Sequence, residues 1–162
     1  MSKNILIFSI LIINSVVFSQ EKRARDYGID FGVFKTGIDN SITDVKGVKV
    51  GHVTLNYGKN VRTGVTAIIP HPGDLFRIKT PTAIFIGNGY GKLTGFSQVE
   101  ELGNSETPII LTNTLSVPIA SQALIEYTLK KNNNIRSVNP LVGETNDGRL
   151  NDIQGFHVKK EH

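Results

Sequence analysis

The stretch TPIILTNTLSVPIASQALIEYTLKK, residues 107–131, decides the fold class because it predicts a strand followed directly by a helix. Residues 107–111 form a short apolar run that is typical of a buried strand. Ser116 is a suitable N-cap, and Pro118 falls in the first helical turn, where proline is tolerated. The helix then carries one apolar stripe at i, i+3, i+4 and i+7, made of Ala120, Ala123, Leu124 and Tyr127.

Further strands are predicted upstream. Residues 48–50 alternate apolar and polar side chains as a half-buried strand does, and residues 52–55 extend that strand. Residues 61–70 form a strong strand that ends at a proline. The run TAIFI, residues 82–86, has the continuous apolar character of a buried strand. A short helix over residues 97–103 has Ser97 as a predicted N-cap, with Glu100 completing a capping box. This mixture indicates an α+β fold in which helices pack on one face of a sheet.

Composition excludes several classes of function. The chain of 162 residues is long enough for one domain. Its net charge of +4 comes from scattered basic residues without interleaved aromatic residues, so nucleic-acid binding is not expected. The sequence has no cysteine, which excludes disulfides, thiolate metal sites and a cysteine nucleophile.

Residues 1–20 have the composition of a secretory signal peptide. Lys3 precedes an apolar segment, residues 5–18, which is shorter than the ~20 residues of a membrane-spanning helix. Ser19 is a small residue suited to cleavage before Gln20. We therefore expect residues 1–19 to be removed and residues 20–162 to be exported, either to the periplasm or into the medium, without membrane association.

The sequence offers weak signals for a nucleotide-binding site and for a metal site. The glycine-rich loop GNGYGKLTG, residues 87–95, resembles a nucleotide-binding loop. The dinucleotide motif would need glycine at the position of Lys92, and the P-loop motif would need serine or threonine directly after Lys92. Neither motif is complete. Close backbone approach is the preferred interpretation of this loop. The four histidines have no metal-ligand spacing, so no metal is predicted.

The most polar stretch is GETNDGRLNDIQGFHV, residues 143–158, which follows the apolar pair Leu141 and Val142. Its Asn and Asp side chains can build turns, and a pair of such turns is one interpretation. The other is a functional loop. The TNT segment, residues 112–114, also follows an apolar strand, so both polar segments are predicted to lie at one edge of the sheet. Amide side chains at that edge can donate hydrogen bonds to a developing oxyanion.

Six segments, taken together, resemble one family, the L-aminopeptidase/D-esterase or DmpA family, also known as P1 or peptidase family S58. They are RARDYGI (23–29), ITDVKGVKVGHVTL (42–55), VRTGVTAIIP (61–70), GNGYGKLTG (87–95), PIILTNTLSV (108–117) and GETNDGRLNDIQGFHV (143–158). The resemblance covers only the amino-terminal part of the family. Asn146 and Arg149 depart from it, because an aromatic residue is expected there in many relatives.

The resemblance implies an αββα sandwich of the DmpA and ornithine-acetyltransferase type. It also implies self-cleavage that frees an N-terminal serine, whose own amino group acts as the base. Implied substrates are short peptides, amides and esters with a free amino end. No cofactor is implied, and the complete fold is expected to form a homo-oligomer.

The family's nucleophile lies downstream of the region that this chain resembles. We therefore expect residues 20–162 to form an incomplete sandwich that lacks its carboxy-terminal part, contains no catalytic nucleophile and is inactive alone. Substrate-orienting or oxyanion-supporting roles are predicted for Asn113, Glu144, Asn151 and Asp152. The alternative function is a non-catalytic binding or interaction module derived from the same fold.

Overall fold

The computed structural model describes residues 22–162, so the predicted signal peptide lies outside the described residues. The described residues fall into two units, the first ending at Lys35 and the second spanning Thr36–His162. In the described part of the first unit, a 3-10 turn spans Ala24–Tyr27 and ends at Gly28, which has a positive φ of 76°. Nearly all side chains of residues 22–34 are exposed.

The second unit holds six strands and two α-helices among its described residues. The strands are β1 (Lys49–Tyr57), β2 (Val61–Ile69), β3 (Thr80–Pro81), β4 (Asn104–Ser105), β5 (Ile109–Asn113) and β6 (Leu141–Thr145), and the helices are α1 (Phe96–Leu102) and α2 (Val117–Lys131). Three short 3-10 turns span Ile42–Asp44, Thr114–Ser116 and Ile153–Gly155. Helices and sheets together make this an α+β fold, as the sequence predicts.

The main sheet has the strand order β1-β2-β5-β6. β1 and β2 form a long antiparallel hairpin, and β2 pairs antiparallel with β5. β5 and β6 are parallel, with Ile109 opposite Leu141 and Asn113 opposite Thr145. Parallel neighbours need a crossover connection, and α2 supplies it. The carboxyl ends of β5 and β6 therefore meet at one edge of the sheet.

The core lies between α2 and the β5–β6 pair. Val117, Ala120 and Leu124 of the helix form one buried cluster with Val142, which is fully buried, and Ile110 packs against it. Ala120 and Leu124 belong to the predicted apolar stripe, so the helix periodicity identifies the face that packs on the sheet. Among the described residues, no helix combines the length and apolar character needed to cross a bilayer.

The predicted strand over residues 82–86 is wrong. The ladder ends at Pro81, the Thr82 N–H donates to the Gly103 carbonyl 2.9 Å away, and the following residues have no regular structure. Phe85 is 91% exposed. An apolar run favours burial, but a strand also needs a neighbour with free backbone groups. The part of the chain that the structure describes offers no such neighbour here.

Two predicted element boundaries also change. The N-cap of α1 is Gly95 with a φ of 88°, and no side chain caps the helix, so the capping box at Ser97 is wrong. β5 begins at Ile109 and not at Thr107. The Leu141 N–H donates to the Thr107 hydroxyl at 3.1 Å, and Pro108 has no N–H, so side-chain bonding replaces the ladder before Ile109.

A loop over residues 71–79 is fastened to the end of α2 by Asp74. The Asp74 carboxylate accepts hydrogen bonds from the Asn132 amide at 3.2 Å and the Phe76 N–H at 3.0 Å. Desolvation raises the pKa of the Asp74 carboxyl, but the hydrogen bonds from Asn132, Phe76 and Arg77 and the Arg77 charge outweigh it and lower that pKa below its ordinary value.

Acid should therefore loosen this loop. A depressed carboxyl pKa contributes stability that is present above the unfolded-state pKa and is lost as pH falls through the folded one. We expect the melting temperature to drop on acidification below about pH 4 and Asp74→Asn to weaken that drop. Thermal unfolding of both proteins between neutral and acidic pH measures this. An unchanged acid dependence in the variant would contradict it.

Candidate functional site

The carboxyl edge of the β5–β6 pair brings the two predicted polar segments together. Thr112 lies opposite Glu144 and Asn113 opposite Thr145 in the parallel register. This confirms the prediction that residues 112–114 and the segment after Val142 share one edge of the sheet. The N-terminal end of α2 begins directly behind this edge, after the 3-10 turn Thr114–Ser116.

Glu144 lies at the centre of this edge. One carboxylate oxygen accepts a hydrogen bond from the Thr114 hydroxyl, and the other accepts the Lys92 backbone N–H at 3.1 Å. The side chain is only partly buried, so lone pairs remain open to solvent. No ion pair involves Glu144 within residues 22–162. The carboxylate is fixed in direction without being neutralised.

The glycine-rich loop, residues 87–95, approaches this carboxylate closely. A Cβ on Gly91 would lie 2.8 Å from the nearer Glu144 oxygen. The loop is held beside β6 by an antiparallel bridge in which Thr94 and Val142 exchange two backbone hydrogen bonds, of 3.0 and 3.1 Å. The loop therefore directs a backbone N–H at a carboxylate of its own chain. This agrees with close backbone approach and opposes a phosphate-binding role.

Two cavities meet at Glu144. The glycine-loop cavity, about 430 Å³, is lined by residues 85–91, by Leu93 and Thr114, and by Asn146. The sheet cavity, about 470 Å³, lies over β1, β2 and β5, and its lining combines polar residues such as His52, Arg62 and Asn113 with the apolar Val53, Val65 and Leu111. Glu144 and Thr145 line both cavities. A ligand held at Glu144 can extend into either one.

Asn113 is buried beside Glu144, and most of its amide is already hydrogen-bonded. Its side-chain oxygen accepts the Ser116 N–H at 3.0 Å, which caps the turn before α2. One amide hydrogen goes to the Thr63 hydroxyl at 2.8 Å. The second hydrogen has no acceptor among the described residues, and the side chain lines the sheet cavity. Its predicted oxyanion-supporting role would need that second hydrogen.

Asn151 and Asp152 lie away from Glu144, at the end of the β1–β2 hairpin. Asn151 is buried, accepts the Arg62 N–H at 3.1 Å and donates to Asp147 at 3.1 Å. The Asp152 N–H donates to the Asn60 carbonyl at 2.7 Å. These bonds attach the polar loop to the hairpin. Asp147, which Asn151 holds, lines the sheet cavity, so the contact of Asn151 with that cavity is indirect.

A hydrogen-bonded chain that the sequence does not reveal fixes the end of the same loop. The Asp152 carboxylate lies 3.1 Å from His157 Nε2, and His157 Nδ1 lies 3.1 Å from the Tyr57 hydroxyl. Gly155 makes this possible, because a Cβ there would lie 2.2 Å from His157 Nε2. Gly155, two residues before His157, is the sequence signal for this close packing, and no pattern indicates Tyr57.

Residues 40–162 match the sequence model of peptidase family S58. The match covers most of the chain and includes every element of the site. The chain belongs to peptidase family S58. This confirms the family that the six segments indicate.

Among relatives, the chain is similar to the β-peptidyl aminopeptidase BapA of Sphingosinicella microcystinivorans, with 37% identity over 164 residues. That match covers 94% of this chain and 40% of the relative, so the chain spans about two fifths of the curated relative's length.

Solved structures of the family have the same fold. The PH0078 protein from Pyrococcus horikoshii OT3 is 54% identical with a TM-score of 0.81, over 87% of this chain and 43% of that one. The L-aminopeptidase D-Ala-esterase/amidase from Ochrobactrum anthropi is 34% identical with a TM-score of 0.74, over 87% and 42%. The latter is described as a variant of the Ntn hydrolase fold. The sheet and its helical layer therefore correspond to part of that fold, as predicted.

The close approach of Gly91 to Glu144 gives a test of the S58 site geometry. Gly91→Ala should push the flexible carboxylate away and break its bond to the Lys92 N–H, which raises the hydrogen-exchange rate of that amide about tenfold. Gly89→Ala is the matched control, because a Cβ on Gly89 meets nothing within 4 Å. Exchange measured by NMR should change only in the first variant. Equal effects of both substitutions would contradict the geometry.

Proposed function

We propose that this chain is the amino-terminal portion of an exported aminopeptidase or amidase of the N-terminal-nucleophile serine type. Its substrates are short peptides, amino-acid amides or esters with a free amino end. The observation that carries the proposal is the oriented, unneutralised Glu144 carboxylate at the junction of two cavities. Similarity to relatives that are named as aminopeptidases supports the proposal.

Glu144 is the group that receives the substrate's ammonium. An anion that already accepts two hydrogen bonds keeps lone pairs for a cationic donor, and such charge-assisted bonds are stronger than neutral ones. An anion that binds the substrate's ammonium suits an exopeptidase. Blocking the substrate's amino terminus removes the charge that Glu144 binds. The fixed direction of the carboxylate reduces the entropy lost on binding.

The substrate's carbonyl then lies over the sheet cavity, next to Asn113. The second amide hydrogen of Asn113 faces a place where negative charge develops on the carbonyl oxygen, and such a preorganised donor stabilises the transition state. Asn151 and Asp152 act indirectly, since they hold the loop that carries Asp147 along the same cavity.

The nucleophile comes from the carboxy-terminal portion of the family fold, which is the main partner of this chain. Ser116 is unsuitable because it is almost fully buried. No serine hydroxyl within residues 22–162 is hydrogen-bonded to a histidine or lysine side chain. In the proposed reaction the serine at the N-terminus of the cleaved carboxy-terminal portion gives its hydroxyl proton to its own amino group and attacks the substrate's carbonyl. The leaving amine or alcohol takes that proton, and water then releases the acyl group.

The role of Glu144 is tested in the chain joined to the carboxy-terminal portion of the Sphingosinicella microcystinivorans relative. We expect this protein to hydrolyse amino-acid p-nitroanilides and the 162-residue chain alone to be inactive. Glu144→Gln should lower kcat/KM by about 10- to 100-fold, because a bond to a charged group is worth ~1.5–3 kcal/mol. For N-acetylated substrates, kcat/KM should be the same in the joined protein and in its Glu144→Gln variant.

Glu100→Gln is the control and should leave kcat/KM unchanged, because Glu100 is exposed on α1. Hydrolysis by the chain alone that Ser116→Ala abolishes would overturn the assignment of the nucleophile. A joined protein that binds amino-acid amides without hydrolysing any substrate would favour the non-catalytic binding module.

Export is tested separately. The leader over residues 1–19 supports cleavage before Gln20 and release into the periplasm or the medium. The exported product is expected to begin at Gln20, and N-terminal sequencing of the processed protein checks this. A product that retains Met1 would remove this part of the proposal.

A further inference from the structure

The turn that leads the glycine-rich loop to Glu144 contains the sole Asn-Gly pair of the sequence, Asn88 and Gly89. The Gly91 N–H donates to the Asn88 backbone carbonyl at 3.2 Å and so closes a β-turn. Asn88 and Gly89 are both exposed, and the segment around them has no regular structure. The proposed reaction uses neither residue.

An asparagine that precedes glycine has a reactive route that other pairs largely lack. The backbone nitrogen of the next residue loses its proton and attacks the side-chain carbonyl carbon, Cγ, which closes a succinimide ring. The bond from Cγ to the side-chain nitrogen breaks, and that nitrogen leaves as ammonia with a proton taken from water. A side chain on the next residue hinders the attack, and glycine has none.

The backbone nitrogen of Gly89 is available for this attack. Among residues 22–162 its N–H has no hydrogen-bond acceptor, and a Cβ placed on Gly89 would meet nothing within 4 Å. The Asn88 side-chain oxygen accepts the Tyr90 N–H at 2.9 Å. This bond polarises the side-chain carbonyl and stabilises the negative charge that develops on its oxygen during the attack.

The pair Asp147 and Gly148 gives the contrast. It is the sole Asp-Gly pair of the sequence, and aspartate before glycine forms the same ring with loss of water. The Gly148 N–H, however, donates to the Asn146 side-chain oxygen at 3.0 Å, and the Asn151 amide donates to the Asp147 carboxylate at 3.1 Å. Both bonds must break before the ring closes, so this pair is protected and Asn88–Gly89 is not.

We infer that Asn88–Gly89 is a spontaneous modification site, at which water converts the succinimide into aspartate or isoaspartate. Aspartate forms when water breaks the bond between the Gly89 nitrogen and Cγ. Isoaspartate forms when water breaks the bond between that nitrogen and the backbone carbonyl carbon of residue 88, and the chain then runs through Cβ and gains a backbone atom. Ammonia is the leaving group, and water is the sole co-reactant.

Isoaspartate at residue 88 changes the turn that holds Glu144. The extra backbone atom lies inside the turn closed by the Gly91 N–H, directly before Lys92, whose N–H donates to the Glu144 carboxylate at 3.1 Å. The new carboxylate lies in the glycine-loop cavity, which Asn88 and Glu144 both line. The modification therefore loosens the orientation of Glu144. Its effect on activity rests on the proposed function, whereas the modification itself does not.

Peptide mapping of the 162-residue chain by mass spectrometry tests the modification. During incubation at mildly alkaline pH, residue 88 should become heavier by about 1 Da. The rate should rise about tenfold per pH unit, because the reacting nitrogen must lose a proton. Gly89→Ala should slow the change about tenfold, since the added Cβ fits the loop but hinders the attack.

Three results of this mapping would overturn the inference. They are an unmodified Asn88, an equal rate in the Gly89→Ala variant, and isoaspartate that forms at Asp147 as fast as at residue 88.

Amide exchange and activity test the consequence separately. After return to neutral pH, the Lys92 N–H should exchange about tenfold faster in molecules with isoaspartate at residue 88. Asn88→Asp keeps the backbone length and should leave that exchange rate unchanged. In the joined protein, hydrolysis of p-nitroanilides should fall as the isoaspartate fraction rises, and Gly89→Ala should retain its starting rate over the same incubation.

Unchanged exchange at Lys92 in the modified chain, or faster exchange in the Asn88→Asp variant, would overturn the effect of the longer backbone. Full activity of the joined protein after conversion to isoaspartate would do the same. A joined protein that hydrolyses nothing before incubation would refute the proposed function, and the mapping and exchange results would still decide the modification site.

Discussion

The parallel pairing of β5 with β6 is the constraint on which the rest of the structure depends. Parallel strands cannot be joined by a tight turn, so the chain must cross over through α2, and the crossover buries its apolar stripe on the same two strands. The pairing also brings two carboxyl ends together at one edge. The core and the candidate site thus follow from a single arrangement of neighbouring strands.

Patterns carried by one element could be predicted from the sequence. The alternation in β1, the proline after β2 and the stripe on α2 each depend on local geometry, and the structure agrees with them. The location of residues 112–114 and Glu144 at one edge could also be predicted, because both segments follow apolar strands. The family resemblance extended this to the fold as a whole.

Features that depend on a partner far along the chain could not be predicted. The TAIFI run has the composition of a strand, but no sequence pattern states whether a neighbouring strand is available. Asn151 and Glu144 belong to one polar stretch, yet Asn151 bonds to Arg62 of β2 and Glu144 to Lys92 of the glycine-rich loop. Spacing within the stretch contains no information about these contacts.

The bonds of Asn151 and His157 to the first hairpin have a consequence for the order of folding. They join residues 89 and 100 positions apart in the sequence, to Arg62 and Tyr57 respectively. Contacts of such separation form late, because the intervening loop must lose its entropy before they contribute. During synthesis the β1–β2 hairpin emerges first and has to wait for residues 151–157. For that interval its turn end is unfastened and exposed to chaperones and proteases.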